Sequence, residues 1–313
     1  MADENWARDT LERLARESLD ERRRARRWGI LFRGLTFAVL LAIAVTILAI
    51  IGARERVCLE KCTALVEVRG ELDASGRASA ERVVSALQAA FKNTGTKGVV
   101  VRVNSPGGSP VQAGQIYDEM RRLRAAHPAI PLYVVVEEVA ASGGYYVAAA
   151  GDRIYVDKAS VIGSIGVIME GFGFTGLMEK AGVDRRVITS GENKAFLDPF
   201  ETVKPAQREY VQTLLDDVHK QFIAAVKAGR GDRLKEEPGM FSGLVWNGKR
   251  AIELGLADEL GTVDYVAREV VKAEEVVDFT PEDNIAERVA RRFGAALGGQ
   301  LGLALRSAGY GMR

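Results

Sequence analysis

The chain has 313 residues, 47% of them hydrophobic and 27% charged, with a formal net charge of +1. That balance excludes the broad positive footprint of a nucleic-acid binder, and the apolar share excludes a disordered chain. The two cysteines, Cys58 and Cys62, have no further ligands nearby, which excludes a thiolate metal centre.

Residues 1–33 alternate charge with the sparse leucines Leu11, Leu14 and Leu19, and read as a polar segment beside a membrane. Residues 34–53, Gly34 to Ala53, carry no charge and are mostly Leu, Ile, Val and Ala. At about 1.5 Å per residue such a helix spans a hydrocarbon core of ~30 Å. The run is longer than the roughly 7–15 apolar residues of a cleavable leader and begins deep in the chain, so it reads as an anchor. Arg22, Arg23, Arg24, Arg26, Arg27 and Arg33 precede it closely, whereas Arg54, Arg56 and Lys61 follow. The positive-inside rule then puts the N-terminus in the cytoplasm and the rest outside it, in the periplasm if the cell is Gram-negative. In such an oxidising compartment Cys58 and Cys62 can pair with each other or across subunits.

Residues 54–280 are long enough for one domain with a sizeable core. Apolar runs predict strands near 64–68, 98–103, 132–136, 153–156, 161–167 and 185–189. Helical patterns fall near 80–91, 111–124, 144–149, 206–228, 249–254 and 263–272. The alternation implies an α/β fold. Residues 281–313 place Ile285, Val289, Phe293, Leu297, Leu301 and Leu305 four apart, which predicts an amphipathic tail against a neighbouring subunit or the bilayer.

The chemistry centres on Ser142, in Ala140-Ala141-Ser142-Gly143-Gly144-Tyr145-Tyr146, at the junction of a buried strand and a helix start. Small neighbours let a substrate backbone approach, and the helix start offers free N–H groups. A serine needs a base. The chain has two histidines; His127 ends an arginine-bearing helix and His219 lies in a charged one, so both are expected to be solvated. Lys194, in Ser190-Gly191-Glu192-Asn193-Lys194, is the alternative. A lysine's reference pKa of ~10.4 has to fall before it can act, and desolvation lowers it. Alone, Ser142 also reads as a helix cap and Lys194 as a surface lysine. There is no G-x-S-x-G elbow. Gly171 to Gly176 formally matches G-x-G-x-x-G, but the helix after it is short and Phe172 and Phe174 would crowd a pyrophosphate. Gly229-Arg230-Gly231 ends the long helix and carries no catalytic assignment.

Val103-Asn104-Ser105-Pro106-Gly107-Gly108, Ala140 to Tyr146, Ile162-Gly163-Ser164-Ile165-Gly166-Val167 and Thr189 to Lys194 occur in this order. Together they resemble the signal peptide peptidase A family of membrane-bound serine proteases, over about residues 63–278. The resemblance implies Ser142 as nucleophile, Lys194 as general base and Ser164 as the residue that orients the lysine. It also implies an oxyanion hole from the Gly108 and Gly143 amides, and a substrate groove near Phe172 and Phe174, which otherwise fill core. It further implies a crotonase- or ClpP-like superhelix of β-β-α units, one N-terminal transmembrane helix and a ring of about eight subunits. The expected activity is endoproteolysis of cleaved signal peptides and other membrane or unfolded peptides, without metal or organic cofactor. Rival readings are a ring-forming membrane scaffold, a protease for particular membrane proteins, and, by analogy of fold alone, an acyl-thioester enzyme.

Overall fold

The computed structural model describes residues 26, 28–45, 58 and 60–281. The chain divides into two compact units, Met1–Val57 and Cys58–Arg313. The first contains helix α1 (Trp28–Val45), which is long and apolar enough to cross a membrane and buries none of its residues within the protein. It starts earlier than the expected span. Residues 46–53 of that span, most of residues 1–33 and the tail 282–313 lie outside the described residues.

The second unit is built on a mostly parallel sheet of eight strands. They are β1 (Cys62–Arg69), β2 (Thr96–Ser105), β3 (Leu132–Ala141), β4 (Arg153–Val156), β5 (Val161–Gly163), β6 (Val245–Asn247), β7 (Glu259–Leu260) and β8 (Val276–Asp278). The spatial order is β6-β5-β3-β2-β1-β8, with β4 branching from β3 and β7 from β4. Among the described residues only the β5–β6 pair is antiparallel. The central strands are runs of valine because both faces are covered. Val99, Val101 and Val103 of β2 pack under helices α2 (Ala80–Lys92) and α3 (Pro110–Ala126). Val100 faces the other way, with Leu65, Val135, Tyr155 and Val266. Helix α3 starts where Ser109 accepts the Gln112 N–H and Pro110 presets the first turn.

Strand β3 changes neighbour along its length. Tyr133–Val136 pair with β4, whereas Val139–Ala141 pair with β5. Between the two halves its register against β2 slips, from Val103↔Val136 to Ser105↔Ala140. The extra residues form an irregularity of the kind that bends a strand, and the Ser160 hydroxyl secures it by donating to the Glu137 carbonyl at 2.6 Å. The bent end runs directly into helix α4 (Gly143–Ala148).

Two short helices, α5 (Thr175–Ala181) and α7 (Gly248–Glu253), flank the 26-residue α6 (Pro205–Arg230). Only the last third of α6 is buried, through Phe222, Ala225, Val226, Gly229 and Arg230. A Cβ on Gly229 would fall 1.9 Å from the Ala149 carbonyl oxygen, so glycine is what lets α6 touch the end of α4. Arg230 is 1% exposed. Its guanidinium donates to both Asp258 carboxylate oxygens, at 2.9 and 2.8 Å, and to the Gly255 carbonyl at 2.8 Å. Asp258 also accepts the Ile154 N–H of β4 at 2.7 Å. Burial alone would raise the Asp258 carboxyl; the hydrogen bonds and charge of Arg230 outweigh it and hold the group below its ordinary 3.8. The Arg230-centred stretch that the sequence left without a catalytic role is thus a structural tie.

Several expectations are corrected. Residues 185–189 form no strand; they run exposed, with Ile188 99% accessible and no sheet edge beside them. Strand β5 stops at Gly163 rather than 167, because Gly163 (φ 112°) and Ser164 (φ 53°) turn the chain away. The last helix, expected at 263–272, is a short α-helical turn, α8 (Val263–Tyr265), that widens into a π-type turn over Val266–Val271. Cys58 and Cys62 are joined to each other, with Cα atoms 5.8 Å apart, and both are buried beside Val277.

Replacing Arg230 by alanine leaves the half-buried Asp258 with only the longer Arg233 contact, at 3.4 Å, as an ionic partner. We expect a loss of about 3–5 kcal/mol in denaturant unfolding. Because the Asp258 carboxyl is depressed, its contribution is complete above pH 3.8 and disappears as pH falls through its lower folded value. In the Arg230→Ala protein that acid-labile component should be smaller in the stability–pH curve, since only the Ile154 N–H and Arg233 remain to hold the carboxyl down.

Candidate active site

Ser142 sits between the end of β3 and the first turn of α4, with φ 51° and ψ −125°. A non-glycine residue keeps such a conformation only where its surroundings impose it. Here the Ser142 N–H donates to the Gly163 carbonyl at 2.8 Å, and the Ser142 carbonyl accepts the N–H groups of Tyr145 and Tyr146. Ser164 is the neighbouring case. Ala141 and Gly163 are paired across β3 and β5, and each is followed by a serine with positive φ. Two strained, half-buried serines therefore leave adjacent strand ends together.

The loop after β2 passes alongside. A Cβ on Gly107 (φ 111°) would lie 2.7 Å from the Ser142 Cβ and 3.0 Å from the Gly143 nitrogen. Gly108 (φ 135°) is held by Leu72, whose N–H donates to the Gly107 carbonyl at 2.8 Å and whose carbonyl accepts the Ser109 N–H at 2.8 Å. The Gly108 nitrogen lies 3.5 Å from the place a Gly143 Cβ would take. Among the described residues neither the Gly108 nor the Gly143 N–H has an acceptor. Two free amides beside a serine are the donors that a developing oxyanion requires. The strap formed by Leu72 was missed from sequence. Its signal would have been the buried leucine that follows the turn at Gly70 after β1.

Ser142, Ser164, Gly108 and Gly143 are thus brought together by the backbone. Lys194 is not. It lies in a run of turns with its N–H on the Gly191 carbonyl at 3.1 Å; the side chain is exposed and makes no hydrogen bond or ion pair among the described residues. The whole stretch around it stands away from the core, and α5 buries no residue. Phe172 is 82% and Phe174 37% exposed, so neither fills core. Phe172 lines a groove of about 530 Å³ with Met169, Leu197, Val203 and Val211. Phe174 stacks near Phe200 at 5.5 Å, and Arg185 lies 5.1 Å over the Phe200 ring. The Arg185 hydrogen bond also holds the Asp198 carboxyl below its usual range. No strand leads into Gly171–Gly176, which removes the strand–turn–helix context of a dinucleotide site.

Neither imidazole is bonded to Ser142. His127 packs against Phe91 at 5.5 Å. His219, expected to be solvated, is half-buried with its Nε2 3.1 Å from the Ile165 carbonyl oxygen. Tyr145 beneath the serine donates to the Leu256 carbonyl at 2.8 Å, and burial pushes its phenol far up, so it stays a neutral donor. Among the described residues no group of three His, Cys, Asp or Glu side chains could hold a metal ion.

A parallel α/β sheet that ends on a strained serine beside two free amides is the architecture of a serine hydrolase. Residues 124–277 match the model of peptidase family S49, and residues 44–162 match that of Clp protease. A protein of Synechocystis sp. provisionally named a protease is 35% identical over 202 residues, 64% of this chain and 70% of that one. An Enterococcus faecium protein provisionally named a signal peptide peptidase SppA is 30% identical over 200 residues, 64% of this chain and 58% of that one. A Brucella melitensis protein named as a Na+/H+ antiporter NhaA is 47% identical over 175 residues, 56% of this chain. The chain spans only 24% of the length of that last relative. The chain belongs to peptidase family S49, the signal peptide peptidase A family.

Gly107→Ala should push its new methyl group into both Ser142 and the Gly143 amide. We expect kcat/KM on a peptide substrate to fall at least about 100-fold, the scale of a lost oxyanion donor. Cooperative thermal unfolding of the same variant checks that the fold survives.

Proposed function

We propose that the chain is a membrane-anchored endopeptidase in which Ser142 is the nucleophile and Lys194 the general base, acting on signal peptides left in the membrane after cleavage. The observation that carries this reading is the strained Ser142 flanked by the unbonded amides of Gly108 and Gly143. Ser142 Oγ attacks the scissile carbonyl as Lys194 takes its proton, and the oxyanion rests on the two amides. Lys194 then protonates the leaving amine, and a water that it activates releases the acyl group from Ser142. Ser164 holds the lysine amine, the part a third residue plays in a triad. The apolar wall at Phe172, with Phe174 nearby, suits the apolar core of a signal peptide.

A lysine serves as base only when desolvated, and in a single chain Lys194 is exposed. A second copy supplies the cover in this reading. The stretch that carries Lys194 displays Ile168, Phe172, Leu177 and Ile188, each more than half exposed, which is an interface composition rather than a solvent face. A closed ring of about eight such chains, each unit a crotonase-like β-β-α superhelix over residues 54–280, buries that stretch and leaves no open edge. The anchor at 34–53 holds the ring to the bilayer, residues 1–33 lie in the cytoplasm, and 281–313 form an amphipathic tail. The Cys58–Cys62 bond supports an extracytoplasmic, oxidising side for the peptidase unit.

Full-length protein in detergent, incubated with a synthetic signal peptide, tests this reading. Ser142→Ala and Lys194→Ala should each lower turnover by at least about 10³-fold. Cleavage that persists in Lys194→Ala would sink the dyad.

A further inference from the structure

His219 reaches the frame of the site although it touches no reacting atom. Its Nε2 lies 3.1 Å from the Ile165 carbonyl. A carbonyl only accepts, so Nε2 carries the proton in this contact. Ile165 directly follows Ser164 and is fully buried. The same carbonyl accepts the Gly243 N–H at 3.1 Å, and the Ser164 N–H donates to the Leu244 carbonyl at 2.7 Å. These bonds surround a serine at φ 53°, a conformation that relaxes unless it is imposed. Two of them come from the 243–244 backbone, and the remaining one comes from a side chain, that of His219.

His219 is also well placed to couple that turn to the nucleophile's helix. Phe222, one turn further along α6, stacks on Tyr146 of α4 with ring centres 4.9 Å apart. Two turns beyond, Gly229 abuts Ala149 at the end of α4. One stretch of α6 therefore grips both the turn that carries Ser164 and the helix that begins at Ser142.

We propose that His219 is a positioning residue whose hydrogen bond to Ile165 fixes the Ser164 turn relative to Ser142, and so sets where the Ser164 hydroxyl meets the general base. The proposal rests on the reading of Ser164 as the residue that orients the lysine. Without the donor, the Ile165 carbonyl keeps only its bond from Gly243 and the turn is free to relax toward ordinary φ. Orientation within the site is lost, while His219 itself is not among the residues that line the groove at Phe172. The effect therefore belongs in kcat and not in KM. Glutamine places an amide N–H near the position of the imidazole Nε2, so it can restore the bond.

The test uses full-length protein in detergent with the synthetic signal peptide. It compares His219→Ala, His219→Gln, Ser164→Ala and the His219→Ala/Ser164→Ala double variant, and follows thermal unfolding for each. We expect His219→Ala to lower kcat by about 10- to 100-fold at unchanged KM, with most of the rate returned in His219→Gln. The double variant should be no slower than the slower single one, because both changes act through one group. Wild-type kcat in His219→Ala alongside an impaired Ser164→Ala overturns the proposal alone. A silent Ser164→Ala removes the orienting role of Ser164 and the proposal with it. A loss in His219→Ala that glutamine does not repair, or that tracks a lowered unfolding temperature, assigns His219 to packing and overturns its positioning role.

Discussion

The change of neighbour along β3 is the constraint on which the arrangement hangs. A strand paired with one partner throughout would stay in the sheet and deliver its last residues to an edge. Here the first half is committed to β4 and the second to β5, and the slip against β2 absorbs the mismatch. The chain therefore leaves the sheet at a sharp angle. Ser142 stands at that corner with its N–H already spent on Gly163, while the next amide is left free. The loop at Gly107–Gly108 can approach only because both glycines lack a Cβ there. The candidate nucleophile and the candidate oxyanion donors are thus consequences of one topological event.

That corner needs a firm floor, and the buried end of α6 provides it. Arg230 joins the helix to Asp258 and Gly255, while Asp258 reaches β4 through the Ile154 N–H. A buried ion pair of this kind adds little net stability over a well-packed apolar substitute, but removal of one partner is costly. What it secures is register: the fork of Arg230 fits one geometry of two carboxylate oxygens and one carbonyl. Phe222, Val226 and Gly229 then fall where α4 requires them.

Much of this was legible in the sequence. The long valine-rich strands and the amphipathic α2, α3 and α6 have periodicity enough to be read, and their ends moved by only a few residues, except that β3 runs past the expected 136 to Ala141. Strands β6, β7 and β8 are two or three residues long, too short for any period to register. The failed strand at 185–189 shows the opposite error, since Val187 and Ile188 have β-propensity but no edge to join. At the site, the ordered motifs led to Ser142, Ser164, Gly108 and Gly143. The Leu72 strap, the Arg230 tie and the His219 contact escaped, because each is made by residues distant in sequence. Lys194 was legible as a residue type, but its environment is not encoded in the local string.

The backbone angles at Ser142 and Ser164 carry a further consequence. Both positions adopt φ values that glycine holds at little cost and serine does not. A chain selected for folding alone would drift toward glycine at each, gaining stability while discarding the hydroxyl. Under the proposed mechanism, stability and chemistry therefore pull in opposite directions at these two residues. A search for hardier variants of this protein would find its easiest gains at the two positions that the proposed mechanism can least give up.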